Sequence, residues 1–135
     1  MATEHRTNPA ARLGFQPGQV VQEIGYGDDV DHDLREGIEA IIGQELVDEG
    51  SDGVADVVLL WFRDDDGDLT GALVEAIGLL GDGVIIWLMT PKQGRDGYLE
   101  TDDITEAAVT AGLSPTKPVP LVKDWNGARM VAPKR

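Results

Sequence analysis

An acidic residue followed closely by two glycines is the strongest candidate in this sequence for ligand chemistry. The segment from Val21 to Asp29 is Val-Gln-Glu-Ile-Gly-Tyr-Gly-Asp-Asp, with Glu23, Gly25 and Gly27 at its centre. Glycines between a buried strand and the following helix let the main chain approach a ligand where amide groups point outward. Such a corner suits a nucleotide-like cofactor. The alternative is that the glycines form only a tight strand-to-helix turn.

A second candidate combines a tryptophan with basic side chains. Trp125 lies in the segment Asp-Trp-Asn-Gly, which predicts a hairpin turn because Asn-Gly readily adopts positive φ angles, so we expect its ring to be exposed. With Lys92, Arg95 and Arg129 it would form an aromatic and basic corner, a surface type enriched at protein interfaces. The alternative is a tryptophan folded back on the sheet edge. The loop Pro91 to Tyr98 follows a predicted central strand, a place where open α/β sheets bind ligands, so a small anion there is a further possibility.

An acid-rich segment resembles a calcium loop but lacks its hinge. Asp64, Asp66, Asp68 and Glu75 match the spacing of the ligands, whereas Leu69 stands where the loop requires glycine. We therefore predict no metal site here and expect Asp68 to cap a helix.

Other catalytic groups are absent from the sequence or isolated in it. There is no cysteine, neither His5 nor His32 has a motif partner, and neither Ser51 nor Ser114 lies in a Gly-x-Ser-x-Gly segment. The sequence therefore predicts no catalytic residues and favours a protein that is not an enzyme.

Composition narrows the choice of partner and location. Among 135 residues, 25 are Asp or Glu and 11 are Lys or Arg, giving a net charge of −14. The electrostatic field of so large a negative charge repels polyanions such as nucleic acids. The basic segment from Leu113 to Arg135 nevertheless leaves a nucleic-acid-associated regulator as one alternative.

The apolar run Val84 to Met89 is too short to span a bilayer, and residues 1–14 contain no signal-peptide segment, so we expect a cytoplasmic protein without membrane contact. We also expect a disordered leader at 1–12 and a single domain at 13–135.

Hydrophobic patterns predict an α/β fold. Two runs, Ala55 to Phe62 and Val84 to Met89, are apolar on both faces, which indicates strands of a parallel sheet covered on each side. Apolar residues at helical spacing follow strand Val20 to Ile24 and each of these runs. The predicted architecture is a three-layer sandwich, with helices on both faces of a mostly parallel sheet and a C-terminal antiparallel hairpin.

This arrangement resembles class I S-adenosylmethionine-dependent methyltransferases. Their opening motif is similar to Glu23-Ile24-Gly25-Tyr26-Gly27, and the two apolar strands are similar to their fourth and fifth strands. The Gly14-x-x-Pro17-Gly18 start, the loop from Trp87 to Lys92 and Trp125-x-Gly127 are more specifically similar to a small bacterial family known as a domain of unknown function. That family resembles a shortened, Rossmann-like methyltransferase scaffold.

The resemblance implies S-adenosylmethionine as cofactor, held by Glu23, Gly25 and Gly27. However, Asp29 replaces the third glycine of the motif and Asp28 precedes it, so two carboxylates would repel the carboxylate of this ligand. We therefore expect no cofactor and predict a regulatory or adaptor protein that acts through protein contacts on a degenerate scaffold. A small methyltransferase is the principal alternative.

Overall fold

The computed structural model describes residues 10–11, 13–48 and 55–132. This part of the chain contains three α-helices and six β-strands, and the last two strands form the final hairpin. In chain order they are β1 (Val21–Ile24), α1 (His32–Ile42), β2 (Ala55–Trp61), α2 (Leu69–Leu79), β3 (Leu80–Pro91), α3 (Thr101–Thr110), β4 (Ser114–Pro115), β5 (Val119–Val122) and β6 (Trp125–Val131).

The strands form one mixed sheet in the order β1-β2-β3-β6, and both β4 and β5 pair with the far side of β6. The first three strands are parallel, with Val58 opposite Ile86, whereas β6 runs antiparallel with Met130 opposite Ile86. Val47 adds a single parallel bridge to Gln22 beyond β1. The predicted α/β fold with a C-terminal antiparallel hairpin is confirmed.

Separate hydrophobic cores cover the two faces of the sheet. Val58 and Leu60 face α2 and α3, while their neighbours Val57 and Leu59 face α1 and the segment that precedes β1. All four side chains are buried, because successive residues of a strand point to opposite faces and each face is covered. The prediction of doubly covered central strands is therefore confirmed.

Aspartates fix the start of two helices. The Asp31 carboxylate accepts a hydrogen bond from the Leu34 amide at 2.8 Å, and that of Asp68 accepts one from the Gly71 amide at 3.1 Å. Asp68 thus caps α2 as predicted, and Leu69 begins the helix instead of closing a metal-binding loop. The three preceding acids, Asp64–Asp66, form a single 3₁₀ turn.

The hairpin turn lies earlier than the sequence predicts. Val122 pairs with Trp125, so Lys123 and Asp124 form the turn, and the Asn-Gly pair lies inside β6. The prediction was wrong because Gly127 serves packing: a Cβ atom there would lie 2.2 Å from Leu121 Cδ1. Trp125 is consequently a strand residue.

Packing extends into the segment predicted as a leader. Ala10 is buried with Leu13 and Phe15 in the core beneath α1. Residue 10, which lies in the predicted leader, thus packs against the domain, and the domain bounds stay a prediction. Residues 1–9 and 12 lie outside the described residues. Within the described ranges, no helix has the length and apolar character needed to cross a membrane.

Candidate functional site

The glycine corner after β1 lies directly against the end of β2. Gly25 has a φ of 82°, and a Cβ atom there would lie 2.2 Å from the main-chain oxygen of Trp61. Both the left-handed conformation and the close approach exclude a side chain. The turn and its packing alone therefore require this glycine.

The carboxylate of Glu23 is fully engaged inside the protein. Its Oε2 accepts hydrogen bonds from Arg35 Nε at 2.6 Å and from Trp61 Nε1 at 2.8 Å, and its Oε1 accepts one from Arg35 Nη2 at 2.8 Å. Glu23 is only 5% exposed. The hydrogen bonds with Glu23 raise the pKa of Arg35 above its ordinary value, against the opposing effect of burial. Glu23 thus ties β1 to α1 and to β2.

Arg35 also supports an exposed aromatic side chain in the glycine loop. Its guanidinium carbon lies 4.7 Å from the centre of the Tyr26 ring, and His32 contacts the same ring edge-on, with 6.0 Å between ring centres. Tyr26 is 53% exposed. A cation against one ring face restrains this tyrosine without burying it.

Arg63, the second residue after β2, reaches back over the glycine corner. Its Nη1 donates to the main-chain oxygen of Gly25 at 2.8 Å, its Nε donates to Asp29 Oδ2 at 3.0 Å, and its Nη2 donates to Asp29 Oδ1. Nη1 also pairs with Asp66 Oδ2 at 3.2 Å. The guanidinium carbon lies 5.2 Å from the centre of the Trp125 ring. One side chain therefore joins the glycine loop, the 3₁₀ turn and β6.

These contacts shift the pKa values of both partners. Hydrogen bonds from Arg63 lower the pKa of Asp29 below its ordinary value, outweighing the effect of burial. Burial acts to lower the pKa of Arg63, but hydrogen bonds with Asp29 and Asp66 raise it overall. The pair therefore favours the charged form of both side chains. The positive charge of Arg63 offsets the repulsion that Asp29 was expected to exert on the carboxylate of a ligand.

The ion pair takes up the space next to the second glycine. A Cβ atom on Gly27 would lie 3.2 Å from Asp29 Oδ1 and 3.3 Å from Arg63 Nη2. A ligand approaching the main chain at Gly25 and Gly27 would have to displace the Arg63 guanidinium. The residues present do not fit S-adenosylmethionine in this arrangement.

Trp125 is buried, so the expectation of an exposed ring was wrong. The residue is 2% exposed, its Nε1 donates to the main-chain oxygen of Asp29 at 3.0 Å, and its ring meets Trp61 edge-on with 4.8 Å between centres. The cause is its place in β6, where it faces the core shared with α1. The alternative, a tryptophan folded against the sheet, is the one observed.

The basic residues predicted around Trp125 do not form one corner. Arg95 lies beside Trp125 and pairs with Asp124, Nη1 to Oδ1, at 3.2 Å. Lys92 is half-buried, and its amide donates to the main-chain oxygen of Asp124. Arg129 is exposed four residues further along β6, roughly 13 Å from Trp125 at the usual rise of a strand. Arg129 therefore belongs to a different surface.

A cavity of about 440 Å³ opens between the glycine loop and the segment after β3. It is lined by Asp29, Pro91, Gly94, Arg95, Asp96 and Trp125. The segment after β3 is anchored to the end of β2, where the Asp64 amide donates to the main-chain oxygen of Gly97 at 2.9 Å. We call this cavity the carboxyl-edge crevice.

Sequence reasoning missed Arg35 and Arg63 as site residues. A signal was present, because these are the only bases between Glu23 and Asp68, a segment otherwise rich in acids. Buried or half-buried acids need partners, so isolated arginines in such a segment are candidates for ion pairs. The residues to which they pair could not be inferred without the fold.

Several solved structures with similar folds are methyltransferases. The O-methyltransferase NcsB1 of neocarzinostatin biosynthesis, solved with S-adenosylmethionine, aligns with a TM-score of 0.64 at 14% identity, over 98% of this chain and 52% of that enzyme. A SAM-dependent methyltransferase from Aquifex aeolicus aligns with a TM-score of 0.59 at 12% identity, over 93% and 90%. At this identity the likeness shows the fold alone, a Rossmann-like methyltransferase scaffold.

The sequence itself identifies a family. The chain belongs to the family described as protein of unknown function DUF3052, whose model matches residues 10–134. It is 48% identical over 134 residues to the uncharacterized protein Rv2239c of Mycobacterium tuberculosis, covering 99% of this chain and 84% of that protein. The uncharacterized protein Mb2263c of Mycobacterium bovis matches equally well. The resemblance drawn from sequence, to a small family on a methyltransferase-like scaffold, is confirmed.

Proposed function

We propose that this chain is a non-catalytic binding domain, a regulator or adaptor that keeps a methyltransferase scaffold and acts through contacts with a protein partner. One observation carries the proposal. The Arg63 guanidinium lies against Gly25 and Gly27, where the resemblance would place a methyl donor. It is held there by Asp29, Asp66 and the ring of Trp125.

The surrounding groups favour this closed arrangement over one with a bound cofactor. Removing Arg63 from the corner would break charge-assisted hydrogen bonds, which are among the stronger hydrogen bonds in proteins. Glu23, the acid of the motif, would also have to leave Arg35 and Trp61 before it could bind a ligand. Breaking a largely buried charge pair is costly, so a donor would need to supply that free energy on binding.

A protein partner is supported by the surface of the glycine loop. Tyr26 is exposed, yet it is restrained by Arg35 and His32. Tyrosine and arginine are the residue types that most often dominate binding free energy at protein interfaces, and a restrained side chain loses little entropy on binding. The net charge of −14 favours a basic partner.

Isothermal titration calorimetry of the full chain with S-adenosylmethionine tests the first half of this proposal. The magnesium protoporphyrin IX methyltransferase from Synechocystis, which was crystallised with bound SAM, is the positive control. We expect no saturable heat from this chain up to about 1 mM ligand, a concentration at which even weak binding would be detected. Saturable heat at micromolar ligand would overturn the proposal in favour of a methyltransferase.

Affinity capture from a lysate of the source organism tests the second half. The immobilised full chain is compared with Tyr26→Ser and with Val109→Ser, a control that removes another exposed apolar side chain on α3. Partners identified by mass spectrometry are then purified and titrated against all three proteins. The proposal expects a direct partner whose binding is weakened by Tyr26→Ser alone. If no purified protein binds directly, a role through protein contacts is rejected.

A further inference from the structure

We propose that the carboxyl-edge crevice receives an arginine side chain from the protein partner. This inference rests on the proposed function, since it names the chemistry by which the partner would be recognised. The protein itself contains a comparable arrangement: next to the crevice, the guanidinium of Arg63 lies between the carboxylate of Asp29 and the ring of Trp125.

Both arginines at the crevice are already matched by acids. Arg95 pairs with Asp124, and Arg63 pairs with Asp29 and Asp66. Asp96 is exposed and has no ion pair or hydrogen bond with any other residue that the structure describes. The side chain of Asp29 is 53% exposed despite its contact with Arg63. Because Arg63 already offsets the charge of Asp29, Asp96 is the lining carboxylate that a cation from outside can neutralise.

Shape and wall chemistry favour arginine among cations. Pro91 and Trp125 are the apolar side chains among the lining residues; both are largely buried, and the methylene groups of a long side chain can pack against the small part of them that faces the crevice. A guanidinium is planar and weakly hydrated, and it binds a carboxylate through two parallel hydrogen bonds. The volume of about 440 Å³ lies within the usual range for ligand sites and leaves room for the residues that flank the arginine.

Other occupants are less well supported. A second copy of the chain would bring another net charge of −14 to this surface, and like charges oppose association. A small anion would meet the carboxylate of Asp96, while the lining base, Arg95, is already paired with Asp124. Both alternatives are distinguishable by experiment.

Fluorescence anisotropy with synthetic peptides provides the test. The probe is a fluorescein-labelled peptide of Gly-Ser spacers with three arginines, and it is compared with the same peptide carrying citrulline or aspartate instead. Citrulline keeps the shape of arginine without its charge. The full chain is titrated as wild type, as Asp96→Asn, and as Glu106→Gln, which removes one exposed negative charge from α3 on the other face of the sheet.

The inference expects saturable binding of the arginine peptide, weakened about fivefold by Asp96→Asn and less than about twofold by Glu106→Gln. Equal weakening by both variants would indicate attraction by net charge alone and would overturn it. Equal binding of the citrulline peptide, preferential binding of the aspartate peptide, or no arginine-peptide binding at about 1 mM would also overturn it. In each of these cases, the absence of S-adenosylmethionine binding and the capture of a partner through Tyr26 would leave the proposed function standing.

Discussion

Trp125 and Asp29 lie 96 positions apart in the sequence, and the indole Nε1 of Trp125 donates a hydrogen bond to the main-chain oxygen of Asp29 at 3.0 Å. This bond joins the start of β6 to the loop that precedes α1. The same loop is joined to the end of β2 by the pairing of Arg63 with the Asp29 side chain. The glycine corner is thus closed from two directions by side chains of the protein itself.

Replacing Trp125 tests its structural role. We expect Trp125→Ala to lower the free energy of unfolding by about 3 to 5 kcal/mol because it removes a buried aromatic ring. Trp125→Phe keeps most of the ring volume but loses the bond to Asp29, and it should cost about 1 to 2 kcal/mol. Urea denaturation measures both. Val119→Ala, at a 46% exposed position on β5, is the control. A cost below about 1 kcal/mol for Trp125→Ala would indicate an exposed ring.

Arg63→Ala removes the side chain that closes the corner. It breaks hydrogen bonds to Asp29, Asp66 and the Gly25 oxygen, so we expect a loss of about 2 kcal/mol in unfolding free energy. Arg95→Ala breaks only a surface pair, whose partners are 51% and 38% exposed, and should cost less than about 1 kcal/mol. Thermal or urea denaturation compares the two variants. Equal costs would mean that Arg63 is no more than another surface arginine.

The pair of Asp29 and Arg63 predicts a dependence of stability on acid pH. Hydrogen bonds from Arg63 lower the pKa of Asp29 in the folded protein below the ordinary value of 3.8. The unfolded chain therefore binds a proton first as pH falls. Stability from this group is present above pH 3.8 and is lost as pH falls through the pKa of the folded state.

Urea denaturation between roughly pH 2 and 6 measures this effect. Asp29→Asn should remove part of the acid-dependent loss in the wild type and should change the pH profile little in an Arg63→Ala background. An identical pH profile for wild type and Asp29→Asn would show that the pairing makes no difference to stability.

Gly25 and Gly43 have nearly the same backbone conformation, so replacing each of them distinguishes the cost of backbone strain from the cost of disrupting close packing. Gly25 has a φ of 82° and Gly43 a φ of 81°, but only Gly25 would place a Cβ atom against another main-chain atom, the Trp61 oxygen at 2.2 Å. We expect Gly43→Ala to cost about 1 kcal/mol from the left-handed conformation alone. Gly25→Ala should cost at least about 2 kcal/mol more, since the two strands must move apart. Equal losses, measured by thermal unfolding, would indicate that the corner is loosely packed.

Much of the fold was predictable from local patterns. The apolar runs around Val58 and Ile86 indicated doubly covered strands, and Asp68 indicated the start of α2, because burial and capping depend on neighbouring residues. The hairpin turn was predicted wrongly from Asn-Gly. A glycine that makes room for Leu121 has the same sequence signal as one that makes a turn.

The site was less predictable because its contacts join distant segments. Glu23, Gly25 and Gly27 were identified from their spacing. The alternative role considered for Gly25, in a tight turn, is consistent with its close contact with Trp61. The partners Arg35 and Arg63 follow Glu23 by 12 positions and Asp29 by 34 positions. Only the parallel arrangement of β1 and β2 brings Arg63 onto the corner.

Nuclear magnetic resonance of the amide groups of Gly25 and Gly27 tests the central claim most directly. The ¹⁵N-labelled full chain is titrated with S-adenosylmethionine, and the chemical shifts of these two amides are followed. If Arg63 closes the corner, neither amide shifts in a saturable way up to about 1 mM ligand. Saturable shifts at both glycines would show that the donor enters the corner, and the account of a closed, non-catalytic scaffold would be wrong.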